Sequence, residues 1–223
     1  MVHHAKSPVS PRLKQNHMKP VDKKIYLASK SPRRRELLRQ VGIDFELLLL
    51  RSDGPRGPDV TEEVLPGEAP LDYVSRVARE KAAFAADLVV KRRMAPRAVL
   101  AADTTVTIDG AILGKPATPN EAIAMLQQLS GRTHQVLTAI AVHSADFAGQ
   151  VTQVSDVRFG VLTPAAIAAY CATPEPYDKA GGYGIQGPAA QFIEHITGSH
   201  SGIMGLPLYE TAQLLRQAGL PLP

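Results

Sequence analysis

Tryptophan is absent from this chain, and cysteine occurs once, at Cys171. A single cysteine excludes an internal disulfide and fits a reducing compartment, so the expected location is the cytoplasm. Aromatic residues make up only 5% of the sequence, too few to furnish a base-stacking platform, so no stable nucleic-acid partner is expected. No stretch reads as a membrane span: the uncharged run Phe159 to Pro174 is broken by Pro164, and no apolar leader opens the chain. Histidine pairs lack the spacing of a zinc-protease helix. Cys171 lacks the local signature of a thiol nucleophile.

What is present is ordinary for a soluble globular protein. Hydrophobic residues reach 44% and charged ones 21% of 223 residues, enough for one sizeable core. The net charge of +4 fits an anionic ligand, but much of it lies in residues 1–20. That segment mixes Lys, Arg, His, Ser and Pro without periodicity and reads as a disordered basic tail, with Met18 an alternative start. Residues 21–223 read as one domain.

The chain is organised around Leu27-Ala28-Ser29-Lys30-Ser31-Pro32-Arg33-Arg34-Arg35. The run from Ile25 to Ala28 predicts a strand, and Pro32 suits the first position of a helix that ends at Gly42. Its apolar face is expected to carry Leu37, Leu38 and Val41, with Arg33 and Arg34 one turn earlier on the same side. Arginines in a first turn oppose the helix dipole. Free N–H groups point the same way, so strand, turn and helix start form an anion cradle suited to phosphates. A solvated basic helix start accounts for Arg35, but poorly for two arginines beside the apolar stripe.

A buried strand is expected over Phe45 to Leu50, then a long loop over residues 51–69 and a helix from Pro70 to Leu88. Lys81 falls in that helix's apolar stripe, where it either snorkels or meets an anion, and spacing leaves both open. Ala98 to Ala102 predicts a strand ending at Asp103-Thr104-Thr105. A hairpin turning at Asp109-Gly110 follows, then Gly114-Lys115-Pro116. Thr118-Pro119-Asn120-Glu121 is a capping box for a helix to Leu129. Strands over His134–His143 and Val151–Phe159, a helix from Pro164, a glycine-rich loop at 174–188, a strand over Ala189–Ile196 and a helix from Pro207 complete the chain. The interleaving points to a mixed α/β sheet.

Two phosphate motifs fail on inspection. Gly110 to Lys115 has three residues between its glycines and Pro116 after the lysine, so it is no P-loop. Gly182 to Gly187 matches the dinucleotide pattern, but Pro188 and a strand follow where a helix is required. Asp103 remains, a turn aspartate on its own. With Arg33, Arg34, Lys81 and Lys115 on separate elements, it suits a polyphosphate bound through a divalent ion, with a water to activate.

Ser29-Lys30-Ser31-Pro32-Arg33-Arg34, Arg79-Glu80-Lys81-Ala82, Ala102-Asp103-Thr104-Thr105-Val106, Gly114-Lys115-Pro116, Leu129-Ser130-Gly131-Arg132-Thr133-His134, Asp178-Lys179-Ala180-Gly181-Gly182-Tyr183-Gly184-Ile185-Gln186-Gly187 and Gly205-Leu206-Pro207-Leu208 together resemble the Maf family of nucleoside triphosphate pyrophosphatases. The resemblance spans residues 25 to about 215 in family order. It implies a mixed twisted α/β sheet with flanking helices and two lobes around a nucleotide cleft, as in the enzyme that removes inosine triphosphate. It implies hydrolysis of a nucleoside triphosphate to monophosphate and pyrophosphate with Mg²⁺ or Mn²⁺, commonly as a homodimer. Asp103 becomes the proton acceptor and a metal ligand. Arg33, Arg34, Lys81 and Lys115 face the phosphates, with Ser29 lining the pocket. Arg33, Thr104 and Gln186 match positions of substrate choice, and the pattern resembles the branch acting on dTTP and UTP. The family often carries an acidic pair after its second strand. Asp53, followed by Gly54, is the match here as a second metal ligand. The family name derives from septum inhibition, so the rival expectation is a nucleotide-responsive regulator of cell division that binds without turnover.

Overall fold

The computed structural model describes residues 23–52 and 57–222, so the expected tail at residues 1–20 and the candidate ligand Asp53 lie outside the described residues. The chain runs β1 (Ile25–Leu27), α1 (Pro32–Gln40), β2 (Phe45–Leu47), α2 (Pro70–Lys91), β3 (Val99–Ile108), β4 (Ala111–Leu113), α3 (Pro119–Leu129), β5 (Thr133–His143), β6 (Ala148–Phe159), α4 (Pro164–Cys171), β7 (Ile193–Thr197), α5 (His200–Ile203) and α6 (Leu208–Gln217). One mixed sheet has the order β2-β1-β3-β5-β6-β7, with β4 added to β3. β1 is parallel to β2 and β3, and the remaining pairs are antiparallel. Among the described residues no helix is long and apolar enough to cross a membrane.

Alternation along the strands divides the core between the two faces. Val99, Ala101, Leu137 and Ala139 meet Val74, Val77, Ala78 and Ala85 of α2 on one face. Leu100, Ala102, Ile140 and Val142 meet Leu37 and Leu38 of α1 and Leu214 and Leu215 of α6 on the other. A third cluster joins Val106, Val136 and Phe159 to Leu126 of α3 and Ile167 of α4. The helix starts follow the predicted chemistry: Thr118 Oγ1 accepts from Glu121 N, and Thr163 Oγ1 accepts from Ala166 N. Asp109 and Gly110 turn the β3–β4 hairpin with φ of 53° and 78°.

Several expectations are corrected. β2 is a three-residue edge strand with an exposed side, because only β1 flanks it, and Leu48 rather than the whole run Phe45 to Leu50 is buried. Val41 follows α1 and is exposed. Residues Pro188–Phe192 coil into a 3-10 turn, so the last strand starts at Ile193. β3 does not end at Ala102; it continues through Asp103, Thr104 and Thr105 because β5 pairs it from Val99 to Thr107.

The opposite edge of β3 is covered only in part. β1 reaches Val99 and Leu100, and β4 reaches Val106 to Ile108. Between them a stretch centred on Asp103 has no neighbouring strand, and there the sheet opens.

His134 lies 2% exposed in the third cluster, edge-on to Phe159 and Tyr183 at centroid distances of 5.0 and 5.4 Å. Its Nε2 is 2.6 Å from the Tyr183 hydroxyl. Burial pulls its pKa down to about 4. The unfolded chain therefore takes up a proton near the ordinary histidine value while the folded chain does not. Stability from this group is complete above pH ~6.5 and falls as pH drops toward 4, by at most ~1.4 kcal/mol per pH unit. In urea titrations between pH 7.5 and 4.5, His134→Gln is expected to flatten this slope; an unchanged slope would assign it to other groups.

Candidate active site

The opening in β3 forms the floor of a cleft of about 820 Å³, lined by the turn after β1, α1, the loop before α2, α2 itself, β3 and the glycine-rich segment. Successive residues of β3 point to opposite sides. Asp103 faces α2, where Lys81 Nζ donates to Asp103 Oδ1 at 2.8 Å. The same ammonium is 2.7 Å from Glu62 Oε1. The snorkelling alternative for Lys81 is thus excluded: its side chain is 14% exposed and ends between two carboxylates.

Glu62 is the residue that the spacing argument missed. It lies in the loop before α2, among Asp59, Glu63 and Glu68, with no periodicity to single it out. The fold pins it from α2: Tyr73 Oη donates to the Glu62 carbonyl at 3.0 Å, and Arg76 donates to the Glu63 carbonyl at 2.9 Å. Arg76 also holds Glu68 at 2.6 and 2.9 Å, which keeps the Glu68 carboxyl down at about 2. Burial pushes the Glu62 pKa up, but Lys81, Lys115 and Arg34 outweigh it, and the net shift is downward.

On the other face, Arg34 sits at the base of the cleft and makes four hydrogen bonds. Nε donates to the Gly205 carbonyl at 2.7 Å; Nη1 donates to Ser29 Oγ at 3.1 Å and to the Ala102 carbonyl at 2.8 Å; Nη2 donates to Thr104 Oγ1 at 3.1 Å. The guanidinium thereby caps the stretch of β3 that lacks a neighbouring strand. Desolvation pulls its pKa down, partly offset by Asp103. Gly205 has φ of 108°, and a Cβ there would come within 3.4 Å of Thr104 Oγ1, so the close approach favours glycine.

Arg33 extends outward to Asp178 Oδ2 at 3.2 Å, a bridge from α1 to the glycine-rich segment. Lys179 Nζ holds the other oxygen of Asp178 at 2.5 Å. Lys115 and Gln186 line the same cleft. Both are exposed; Lys115 acts on Glu62 by charge alone, and among the described residues the Gln186 side chain makes no hydrogen bond. Gln186 therefore does not tie its own loop together. Ser29, Arg33, Arg34, Lys81, Asp103, Thr104, Lys115 and Gln186 all converge on one cleft, while Asp53 lies outside the described residues.

Among the described residues no three acidic, histidine or cysteine groups cluster as a complete metal cage. Glu62 and Asp103, which meet at one cation, fit a hard divalent ion that takes its other oxygens from water and substrate phosphates, the habit of Mg²⁺.

A family model described as Maf-like protein matches residues 24–218. The chain is 54% identical to a dTTP/UTP pyrophosphatase of Aromatoleum aromaticum over 207 residues, covering 92% of this chain and 100% of that one. It is 55% identical to the dTTP/UTP pyrophosphatase of Ralstonia nicotianae, with 89% and 95% covered, and 55% identical to that of Burkholderia pseudomallei, with 87% and 93% covered. A solved structure of the Staphylococcus aureus Ham1 protein aligns at a TM-score of 0.39 and 15% identity over 61% of this chain and 71% of that one.

Arg34 and Arg33 are neighbours with different expected roles. Arg34→Lys cannot reproduce the planar fork and is expected to cost about 2–4 kcal/mol in urea denaturation, whereas Arg33→Lys should leave stability nearly unchanged. Equal losses at both positions would contradict this division.

Proposed function

This chain belongs to the Maf family, and from that premise we propose that it hydrolyses dTTP and UTP to the nucleoside monophosphate and pyrophosphate. The observation that carries this reading is Lys81 shared by Asp103 and Glu62 at the opening in β3, beneath a cleft ringed with cations. The relatives' names supply the substrates, and the cleft supplies groups suited to them.

The Asp103 carboxylate accepts a proton from water as that water attacks the α-phosphorus. A new P–O bond forms, the bond to the bridging oxygen breaks, and pyrophosphate leaves with the electron pair. Lys81 orients Asp103 through its 2.8 Å hydrogen bond. Arg33, Lys115 and the N–H groups opening α1 receive the negative charge of the leaving phosphates. Glu62 and Asp103 would hold a divalent ion, Mg²⁺ or Mn²⁺, which neutralises phosphate charge and acidifies water when bound. Buried Cys171, a free thiol, fits a cytoplasmic setting, and the family resemblance implies a homodimer.

Uracil and thymine present an acceptor at O4 beside a donor at N3, and the Gln186 carboxamide offers the reciprocal pair. The glycines at 181, 184 and 187 let the backbone of that segment pack closely against Val106, Lys179 and Glu175, which fixes the segment that carries Gln186. A regulator that binds nucleotide without turnover is not favoured, since the groups for proton abstraction and charge neutralisation are in place.

A panel of nucleoside triphosphates with Mg²⁺ and Mn²⁺, followed by pyrophosphate release, tests the reading. The highest kcat/KM is expected for dTTP and UTP, and tight binding without release would support the regulator instead. Asp103→Asn should lower kcat by ~10²–10⁴-fold with an unchanged melting temperature, because an amide cannot accept the proton. Gln186→Glu should lower kcat/KM for dTTP and UTP by roughly tenfold or more, since a carboxylate repels O4. A lower melting temperature with unchanged kcat/KM would make Gln186 structural.

A further inference from the structure

Thr138 of β5 has no exposed surface and lies directly across from Thr104 of β3. Its hydroxyl is 2.8 Å from the Gly202 carbonyl. A carbonyl only accepts, so the single proton of Thr138 is committed there. The 3.0 Å contact between Thr104 Oγ1 and Thr138 Oγ1 then requires Thr104 to donate. The single proton of Thr104 is thus directed into the protein. Arg34 Nη2 approaches the same oxygen at 3.1 Å, and a guanidinium only donates. The hydrogen bonds therefore run in one direction, from Arg34 through Thr104 and Thr138 to Gly202. Thr104 is partly exposed and lines the cleft, so toward a ligand its hydroxyl offers a lone pair and no proton.

We infer that Thr104 binds a hydrogen-bond donor of the nucleoside rather than a phosphate oxygen, and that Thr138 is the positioning residue that fixes this polarity. This rests on dTTP and UTP being substrates. The donors common to both are the base N3–H and the sugar 3′-hydroxyl; Gln186 takes the first in the reading above, which leaves the 3′-hydroxyl to Thr104. The 2′-hydroxyl belongs to UTP alone and cannot serve a site that takes both. Phosphate oxygens would meet lone pair against lone pair at Thr104, which favours placing them elsewhere in the cleft.

The test compares kcat/KM for dTTP, 2′,3′-dideoxy-TTP and N3-methyl-dTTP in the wild type and in Thr104→Val, Thr104→Ser, Thr138→Val and Thr138→Ser. 2′,3′-Dideoxy-TTP should be used roughly five- to tenfold less well by the wild type, the scale of one lost hydrogen bond. N3-methyl-dTTP is the control, because its penalty belongs to Gln186 and should be the same in the wild type and all four variants. The dideoxy penalty should vanish in Thr104→Val, persist in Thr104→Ser, shrink in Thr138→Val and return in Thr138→Ser. A structural role alone would lower kcat/KM for all three nucleotides equally. The inference is overturned if loss of the 3′-hydroxyl does not penalise the wild type, or if that penalty survives in Thr104→Val. Should Thr138→Val fail to fold, the two Thr104 variants decide the matter. Failure of the wild type to release pyrophosphate from dTTP would overturn the proposed function itself, a result distinct from all of these.

Discussion

β3 is ten residues long, and the strands on one of its edges do not cover it. β1 pairs with β3 only as far as Leu100 and β4 only from Val106, so among the described residues the middle of the strand has no strand neighbour on that side. An exposed strand edge within a protein needs partners for its backbone groups. Arg34 supplies one by donating to the Ala102 carbonyl, and the rest of the opening becomes a cleft. The strand's alternation then sends Asp103 toward α2 and Thr104 toward α1 and α5. One interrupted edge thus places a carboxylate and a hydroxyl on the two sides of a single binding site.

The charges around this opening are arranged in pairs. Lys81 has Glu62 and Asp103, Arg33 has Asp178, and Lys30 Nζ donates to Ser52 Oγ at 2.7 Å. Clustered cations repel one another, and acids from two loops offset that repulsion in the folded chain. Glu62 lies in the loop before α2 and Asp178 ends a short 3-10 turn, so neither acid is fixed to a strand of the sheet. Arg34 differs because its partners are backbone carbonyls and hydroxyls of the framework. It holds the site together, while the outer cations are available to the ligand.

Much of this was legible in the residues. Thr118 and Thr163 cap their helices as the motif chemistry requires, and Asp109-Gly110 makes the tight turn. The misplaced charge of Arg33 and Arg34 in a first turn pointed to an anionic site, whereas spacing left Lys81 open between snorkelling and meeting an anion. Asp103-Thr104-Thr105 read as the end of a strand because polar residues seldom continue a buried one; here Lys81 donates to Asp103, Arg34 donates to Thr104, and Thr104 donates to Thr138. Glu62 was hidden because loop residues follow no period, and its place depends on Tyr73 and Arg76, each more than ten residues further on. Thr138 could not be told from any β-branched strand residue, since its role depends on which neighbour takes its proton.

The central claim is that Asp103 delivers water to the α-phosphorus while the outer cations retain the two phosphates that leave. Hydrolysis of dTTP in ¹⁸O-labelled water, with both products analysed by mass spectrometry, tests it most directly. The account predicts one labelled oxygen in thymidine monophosphate and none in pyrophosphate. Label in pyrophosphate, or release of inorganic phosphate as the primary product, would contradict it.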